Sequence, residues 1–253
     1  MRFIRYANRE GAEQYGWIND DQIGMVEGYL FGEYRRLEAN TSISNIKLLA
    51  PIQPSKIICL GRNYADHAKE QGVEIPESPI LFMKPPTSII GLNDKILLPV
   101  QSQQVEHEAE LVVVIGKKGR WITVDNAQQY IFGYTIGNDI TARDLQHRDG
   151  QWTRAKGFDT FCPIGPWIET DLDPADTLIT CRVNSELRQM ASTREMVFTV
   201  PQIVAFVSTV MTLLPGDLIF TGTPAGIGPL ENGDEVEVEI EGIGVLRNEV
   251  GIA

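Results

Sequence analysis

The sequence predicts a chain of many short strands and few helices, with a small β-rich unit leading into one larger body. Three observations predict it. Short runs of branched aliphatic residues close repeatedly on glycine or proline, as in Lys56–Gly61, Ile80–Pro86 and Leu111–Gly116, the pattern of buried strands. One stretch alone, from Thr199 to Leu214, has the apolar density and the start signal of a core helix. Residues 1–49 alternate short apolar pieces with turns and are too slight for a core of their own.

Composition bounds the rest. A length of 253 residues suits one sizeable core, and 43% hydrophobic with 22% charged residues is ordinary for a soluble globular protein. A net charge of -12 excludes nucleic acid and anionic membrane as natural partners, because both attract basic surfaces. Met1–Tyr6 lacks the apolar segment of a secretory signal and no run approaches a membrane span, so a cytoplasmic location is expected. Cys59, Cys162 and Cys181 are odd in number and widely spaced, which reads as reduced core residues.

In order, Arg2–Tyr6, Tyr15–Ile18 and Gln22–Val26 read as strands, the last two joined as a hairpin through Asn19–Asp21. Leu48–Pro54 carries two prolines and is the extended joint to a second domain over residues 50–253. Lys56–Gly61 is a strand, followed by a helix over Arg62–Gln71 with Asn63 as its cap and Gly72 as its stop. Ile80–Pro86 and Val105–Ile115 are strands, and a short helix capped at Asp125 leads to the strand-like run Phe132–Ile140. Thr141–Gln146 starts a turn or helix, and Thr153–Asp159 is a loop. Leu178–Asn184 is a strand turning near Asn184–Glu186, and the core helix opens with the capping box Thr199-Val200-Pro201-Gln202 and ends at Pro215–Asp217. Leu218–Phe220 then feeds the glycine-rich loop Thr221–Pro229, a shape that brings backbone amides and hydroxyls close to a carboxylate or phosphate.

The chemistry lies in the acidic and basic residues. In a strand, Glu106, Glu108 and Glu110 share a face, and carboxylates so spaced are either solvated or gathered round a hard divalent cation. The run Glu235–Glu241 has the same alternation and reads as an exposed antiparallel strand without a site. Asp139, at the end of another strand-like run, could join the first cluster. His67 and Glu70 are neighbours on one helix face, either an incidental surface pair or an imidazole poised to activate water. Lys84 at the end of an apolar run either snorkels or serves a ligand, while Lys156 and Arg143 would offset the carboxylates and receive an anionic substrate.

Jointly, Gly61-Arg62-Asn63-Tyr64-Ala65-Asp66-His67, Glu108-Ala109-Glu110-Leu111, Asp139-Ile140-Thr141-Ala142-Arg143-Asp144 and Thr221-Gly222-Thr223-Pro224 resemble the fumarylacetoacetate hydrolase family, in particular its small bacterial and mitochondrial members. The resemblance runs from about Leu49 to the C-terminus. It implies an α+β fold of mixed, rolled β-sheets with a few helices, a homodimer, and Mg2+ or Mn2+ held by Glu108, Glu110 and Asp139. It implies His67, Glu70 and Lys156 as catalytic groups, with Arg62, Lys84, Arg143, Gln146, Gly222 and Thr223 as expected substrate contacts. Glu106 corresponds to no ligand and is left as a rim residue.

The implied substrate is a small anionic 2-oxo acid, whose enolate the cation stabilises. Carbon-carbon hydrolysis of acylpyruvate or fumarylacetoacetate type is placed first, because both members of the His67/Glu70 pair are present to activate water. Behind it stand isomerisation or decarboxylation of 2-hydroxyhepta-2,4-diene-1,7-dioate type and oxaloacetate tautomerisation or decarboxylation. The non-enzyme alternative is a structural cation-binding module, which would leave the ion no open coordination position.

Overall fold

The computed structural model describes residues 1–253. Strand Ala109–Ile115 is its centre, and its apolar run follows from burial on both faces. Leu111, Val113 and Ile115 point into one core with Ile179, Val238, Leu246 and the helix residues Ile203 and Val207. Val112 and Val114 point into a second core with Cys59, Cys162, Phe220 and the N-terminal Phe3 and Val26.

This strand belongs to a thirteen-stranded sheet. From the Tyr34–Arg36 edge the order is Gln22–Gly28, Glu13–Asn19, Arg2–Ala7, Cys162–Glu169, Ile131–Asn138, Ala109–Ile115, Leu218–Phe220 and Ile57–Gly61, with Ile80–Lys84 at the other edge. The residues 1–49 therefore dock by continuing the large sheet, Phe3 lying opposite Ile168. A five-stranded sheet, Lys95–Leu98, Gly244–Ile252, Glu235–Ile240, Leu178–Val183 and Glu186–Ser192, covers one face, and a three-stranded sheet joins Val105–His107 to Thr141–Ala142 and Gly228–Pro229. The helices are α1 (Ala65–Glu70), α2 (Arg143–Asp149), α3 (Thr153–Lys156) and α4 (Val200–Val210). Mixed sheets with few helices and a β-rich start agree with the expected α+β class.

Local chemistry explains much of this. Asn184 and Ser185 both have positive φ, as a two-residue hairpin turn of mirror-image type requires. The capping box at Thr199 forms as expected with Gln202, the third helical residue, whose Oε1 accepts from Thr199 N–H (2.9 Å) and from its hydroxyl (3.0 Å). In Glu235–Ile240 the valines face inward and the strand pairs antiparallel on both sides, as expected.

Five expectations need correction. The helix placed over Arg62–Gln71 shortens to α1, because Asn63 does not cap it. Asn63 is instead buried, its Nδ2 donating to Phe198 O (3.1 Å) and Thr221 O (2.7 Å) while Oδ1 accepts from Phe198 N (2.7 Å). Val124–Tyr130 is a 3-10 turn beginning after Thr123 rather than a helix capped at Asp125. Thr153–Lys156 is helical, so the loop is shorter than expected. α4 stops at Val210, and Leu213 leaves it to bridge with Gly119. Val105–Ile115 is two strands in two sheets, broken at Glu108.

Candidate active site

The break at Glu108 shapes the site. Neither of the two flanking sheets takes the hydrogen-bonding groups of Glu108, so other residues do. Its N–H donates to Asn138 Oδ1 (2.9 Å) and its carbonyl accepts from Asp139 N (2.8 Å). The side chains of Glu108 and Glu110 thereby meet Asp139, which follows the adjacent strand Ile131–Asn138, and one oxygen from each of the three lies within 4.8 Å of the others. All three residues are buried.

Cations surround them unequally. Arg143 Nε bonds Glu106 Oε2 (2.7 Å) and its Nη2 bonds Glu108 Oε1 (2.5 Å). Lys156 Nζ bridges Glu108 Oε2 and Asp139 Oδ2, both at 2.7 Å, and Lys84 Nζ reaches Asp139 Oδ1 at 2.5 Å. Glu110 has no ion-pair partner; its Oε2 accepts from Gly222 N–H (2.7 Å). That approach requires glycine, because Gly222 has φ 92° and a Cβ there would lie 2.7 Å from Asn63 Cβ.

These environments set the charges. Burial works against ionisation of Glu108, yet Lys156 and Arg143 overcome it and hold the carboxyl well below the usual carboxylate range. Burial, reinforced by Asp139 and Glu108, pushes the Glu110 carboxyl well above that range. Burial also disfavours the Lys156 ammonium, but Asp139 and Glu108 more than offset this and raise its pKa. Counting Glu106, four buried carboxyl groups face the three cations Lys84, Arg143 and Lys156, and the one left without a cation is Glu110, whose ionised form burial and its acidic neighbours disfavour. A divalent ion would favour the ionised form of that carboxyl, and the donor set of hard oxygens with one unpaired acidic group fits it.

A cavity of about 330 Å³ opens onto Glu108 and Glu110, while Asp139 lies behind them, fully buried. Arg62, His67, Glu108, Glu110, Arg143, Gln146, Lys156 and Thr223 line it, so most of the residues singled out in the sequence converge. His67, on α1, faces Glu70 Oε2 through Nδ1 (3.3 Å), and Glu70 Oε1 accepts from Gly226 N (3.0 Å), tying the helix to the glycine-rich loop. Arg62 stands at the wall with φ 60°, a left-handed conformation that is costly without glycine and tends to persist at functional positions.

Other assignments change. Lys84 does not line the cavity; it is fully buried behind Asp139 and also donates to Ile140 O. Gly222 contributes through Glu110 rather than at the wall. Thr223 lines the cavity, but its hydroxyl donates to Ala109 O (2.9 Å), away from any substrate. Glu106 is not a rim residue: it is buried and orients Arg143. Sequence reasoning missed Leu60 and Phe82 in the apolar wall they form with Trp152, where the Phe82 and Trp152 rings meet edge to face at 5.1 Å, because its members lie far apart in the chain. It also missed Asn138 and Gln189, each a polar residue at an inward position of a strand, which is the signal that could have marked them.

Comparison with known proteins follows this geometry. Residues 56–251 match the family described as Fumarylacetoacetate (FAA) hydrolase C-terminal, and residues 1–51 match that described as Rv2993c-like, N-terminal. The oxaloacetate tautomerase Fahd2a of Rattus norvegicus mitochondria is 47% identical over 219 residues, 82% of this chain and 70% of that protein. The 5-carboxymethyl-2-hydroxymuconate delta-isomerase of Mycobacterium smegmatis superimposes with a TM-score of 0.93 at 44% identity, covering 100% of both chains. The fumarylacetoacetate hydrolase of Exiguobacterium antarcticum does so with a TM-score of 0.87 at 40% identity, again over 100% of both. No helix is long and apolar enough to cross a membrane.

Proposed function

The chain belongs to the fumarylacetoacetate hydrolase family, and from that premise we propose a divalent-metal-dependent enzyme that moves a proton between enol and keto forms of a 2-oxo dicarboxylic acid. One observation carries the reading: three buried carboxylates converge, two of them lining a cavity whose wall also holds an imidazole oriented by a fourth acidic residue. Glu108, Glu110 and Asp139 would hold Mg2+ or Mn2+, and such an ion supplies Lewis-acid polarisation of a keto oxygen.

The remaining work falls to side chains. In the enol-to-keto direction His67 delivers a proton to the carbon beside the carbonyl while the enol oxygen gives up its own to solvent. In reverse it takes the proton from that carbon while the oxygen gains one, with Glu70 fixing the ring. Lys156 and Arg143 favour the negative charge that develops on the substrate, since both line the cavity and are already held charged by their carboxylate partners. Leu60, Phe82 and Trp152 limit water around the reacting carbon. Assembly as a homodimer belongs to the same proposal, and light scattering tests it.

Hydrolysis, placed first on the sequence alone, becomes the second reading beside the isomerase and tautomerase relatives, and it is kept because the His67/Glu70 pair suits activation of a water equally well. The two are separated by NMR of acetylpyruvate, enol oxaloacetate and a hydroxyheptadienedioate with protein and Mg2+, in D2O, with and without EDTA. Tautomerisation gives faster enol-to-keto conversion and deuterium at the carbon next to the ketone, the carbon skeleton intact. Cleavage of acetylpyruvate to acetate and pyruvate, with no acceleration of enol conversion, would reverse the order of the two.

A further inference from the structure

We propose that Gln189 is a positioning residue for the cation-binding carboxylates, acting through a closed ring of hydrogen bonds with Thr223 and Ala109; this rests on the metal-site reading above. Gln189 lies on Glu186–Ser192, a strand of the five-stranded sheet, yet its fully buried side chain crosses to the break in the carboxylate segment. Its Oε1 accepts from Ala109 N (3.0 Å). Its Nε2 donates to Thr223 Oγ1 and to Pro224 O, both at 2.8 Å. Thr223 Oγ1 in turn donates to Ala109 O (2.9 Å), which closes the ring.

The orientation of the amide is not arbitrary. Pro224 O can only accept and Ala109 N can only donate, so Nε2 and Oε1 have one assignment. Oε1 then also accepts from His107 Nδ1 at 3.0 Å, and the amide makes four hydrogen bonds, its full capacity. Ala109 separates the two ligands Glu108 and Glu110, and both of its backbone polar groups are in this ring. Thr223 follows Gly222, whose N–H meets Glu110 Oε2. One side chain therefore fixes the backbone between two ligands and the loop that meets the second.

Mn2+ affinity, read by electron paramagnetic resonance on folded protein, tests this without reference to turnover. Gln189→Leu and Thr223→Val are each expected to weaken Mn2+ binding about 10–100-fold, the range for groups that orient metal ligands. Because both break one ring, the double variant should bind within about threefold of the weaker single variant. Thr223→Ser, which keeps the hydroxyl, should bind as wild type. A purely inter-sheet role would lower the melting temperature of cation-free protein and leave Mn2+ affinity unchanged, and that result for Gln189→Leu overturns the proposal. So does a double variant whose loss equals the product of the two. If Gln189→Leu does not fold, Thr223→Val against Thr223→Ser decides alone. Glu108→Ala is the control: if it binds Mn2+ as tightly as wild type, the metal-site reading fails, and the proposal with it, independently of Gln189.

Discussion

Glu110 is the carboxylate of the cluster that no lysine or arginine neutralises, and this singles it out for mutation. Glu110→Gln keeps the shape and removes the charge, so Mn2+ affinity should fall at least about 100-fold while the cation-free protein melts no lower than wild type. His67 makes the opposite prediction. His67→Ala leaves the three ligand carboxylates in place, so Mn2+ affinity should stay within about twofold while kcat falls about 10²–10⁴-fold, the span for a lost general base. Calorimetry and steady-state kinetics on the same preparation separate these outcomes. The cysteines should be silent in both assays. Burial pushes the Cys162 and Cys181 thiols up to about 12 and raises Cys59 as well, so at pH 8 almost no thiolate exists. An aromatic disulfide reagent should release no thiol colour from native protein and three equivalents after denaturation.

At the scale of elements, α1 is six residues long and too short to hold itself in place. It is suspended at one end from Asn63, bonded to Phe198 and Thr221, and at the other from Glu70, bonded to Gly226. Asn63→Ala removes three buried hydrogen bonds and should destabilise by about 1–3 kcal/mol in urea unfolding. It should also lower kcat, because His67 rides on the loosened helix, and leave Mn2+ affinity near wild type. The helix itself was legible, since His67 and Glu70 at that spacing and Gly72 as a stop are local signals. Its start was not, because the partners of Asn63 lie 135 and 158 residues away. The same reason governs the carboxylates. Their residue types and spacing marked a cation site, but the unbroken strand-like alternation from Val105 to Glu110 hid the interruption, which Asn138 holds at Glu108 and Gln189 at Ala109, both from other strands. Lys84 was visible as a cation ending an apolar run and Lys156 as a loop cation offsetting the carboxylates; which anions they met depended on three strands coming together.

At the scale of the molecule, the sequence's charge pattern and the fold's charge distribution lead to one measurable stability. The cluster sets four carboxyl groups against three cations inside a body whose two cores share strand Ala109–Ile115, so the unpaired Glu110 acts on the centre of the fold rather than its surface. Ionising Glu110 without a partner at such a position opposes folding, and a bound divalent ion would supply that partner and tie Glu108 and Glu110 to Asp139 across adjacent strands. A ligand that binds only the folded state stabilises by about 2.7 kcal/mol at 100 times its Kd. For a chain of 253 residues, each kcal/mol corresponds to about 2–4 °C in Tm, so saturating Mg2+ or Mn2+ should raise Tm by roughly 5–10 °C, and EDTA should return it. Glu110→Gln should abolish most of that rise, whereas His67→Ala should keep it, because only the former removes a ligand. Differential scanning calorimetry of the three proteins with and without Mn2+ checks this. An equal rise in all three would mean that the ion binds elsewhere, on the acidic surface that a net charge of -12 provides.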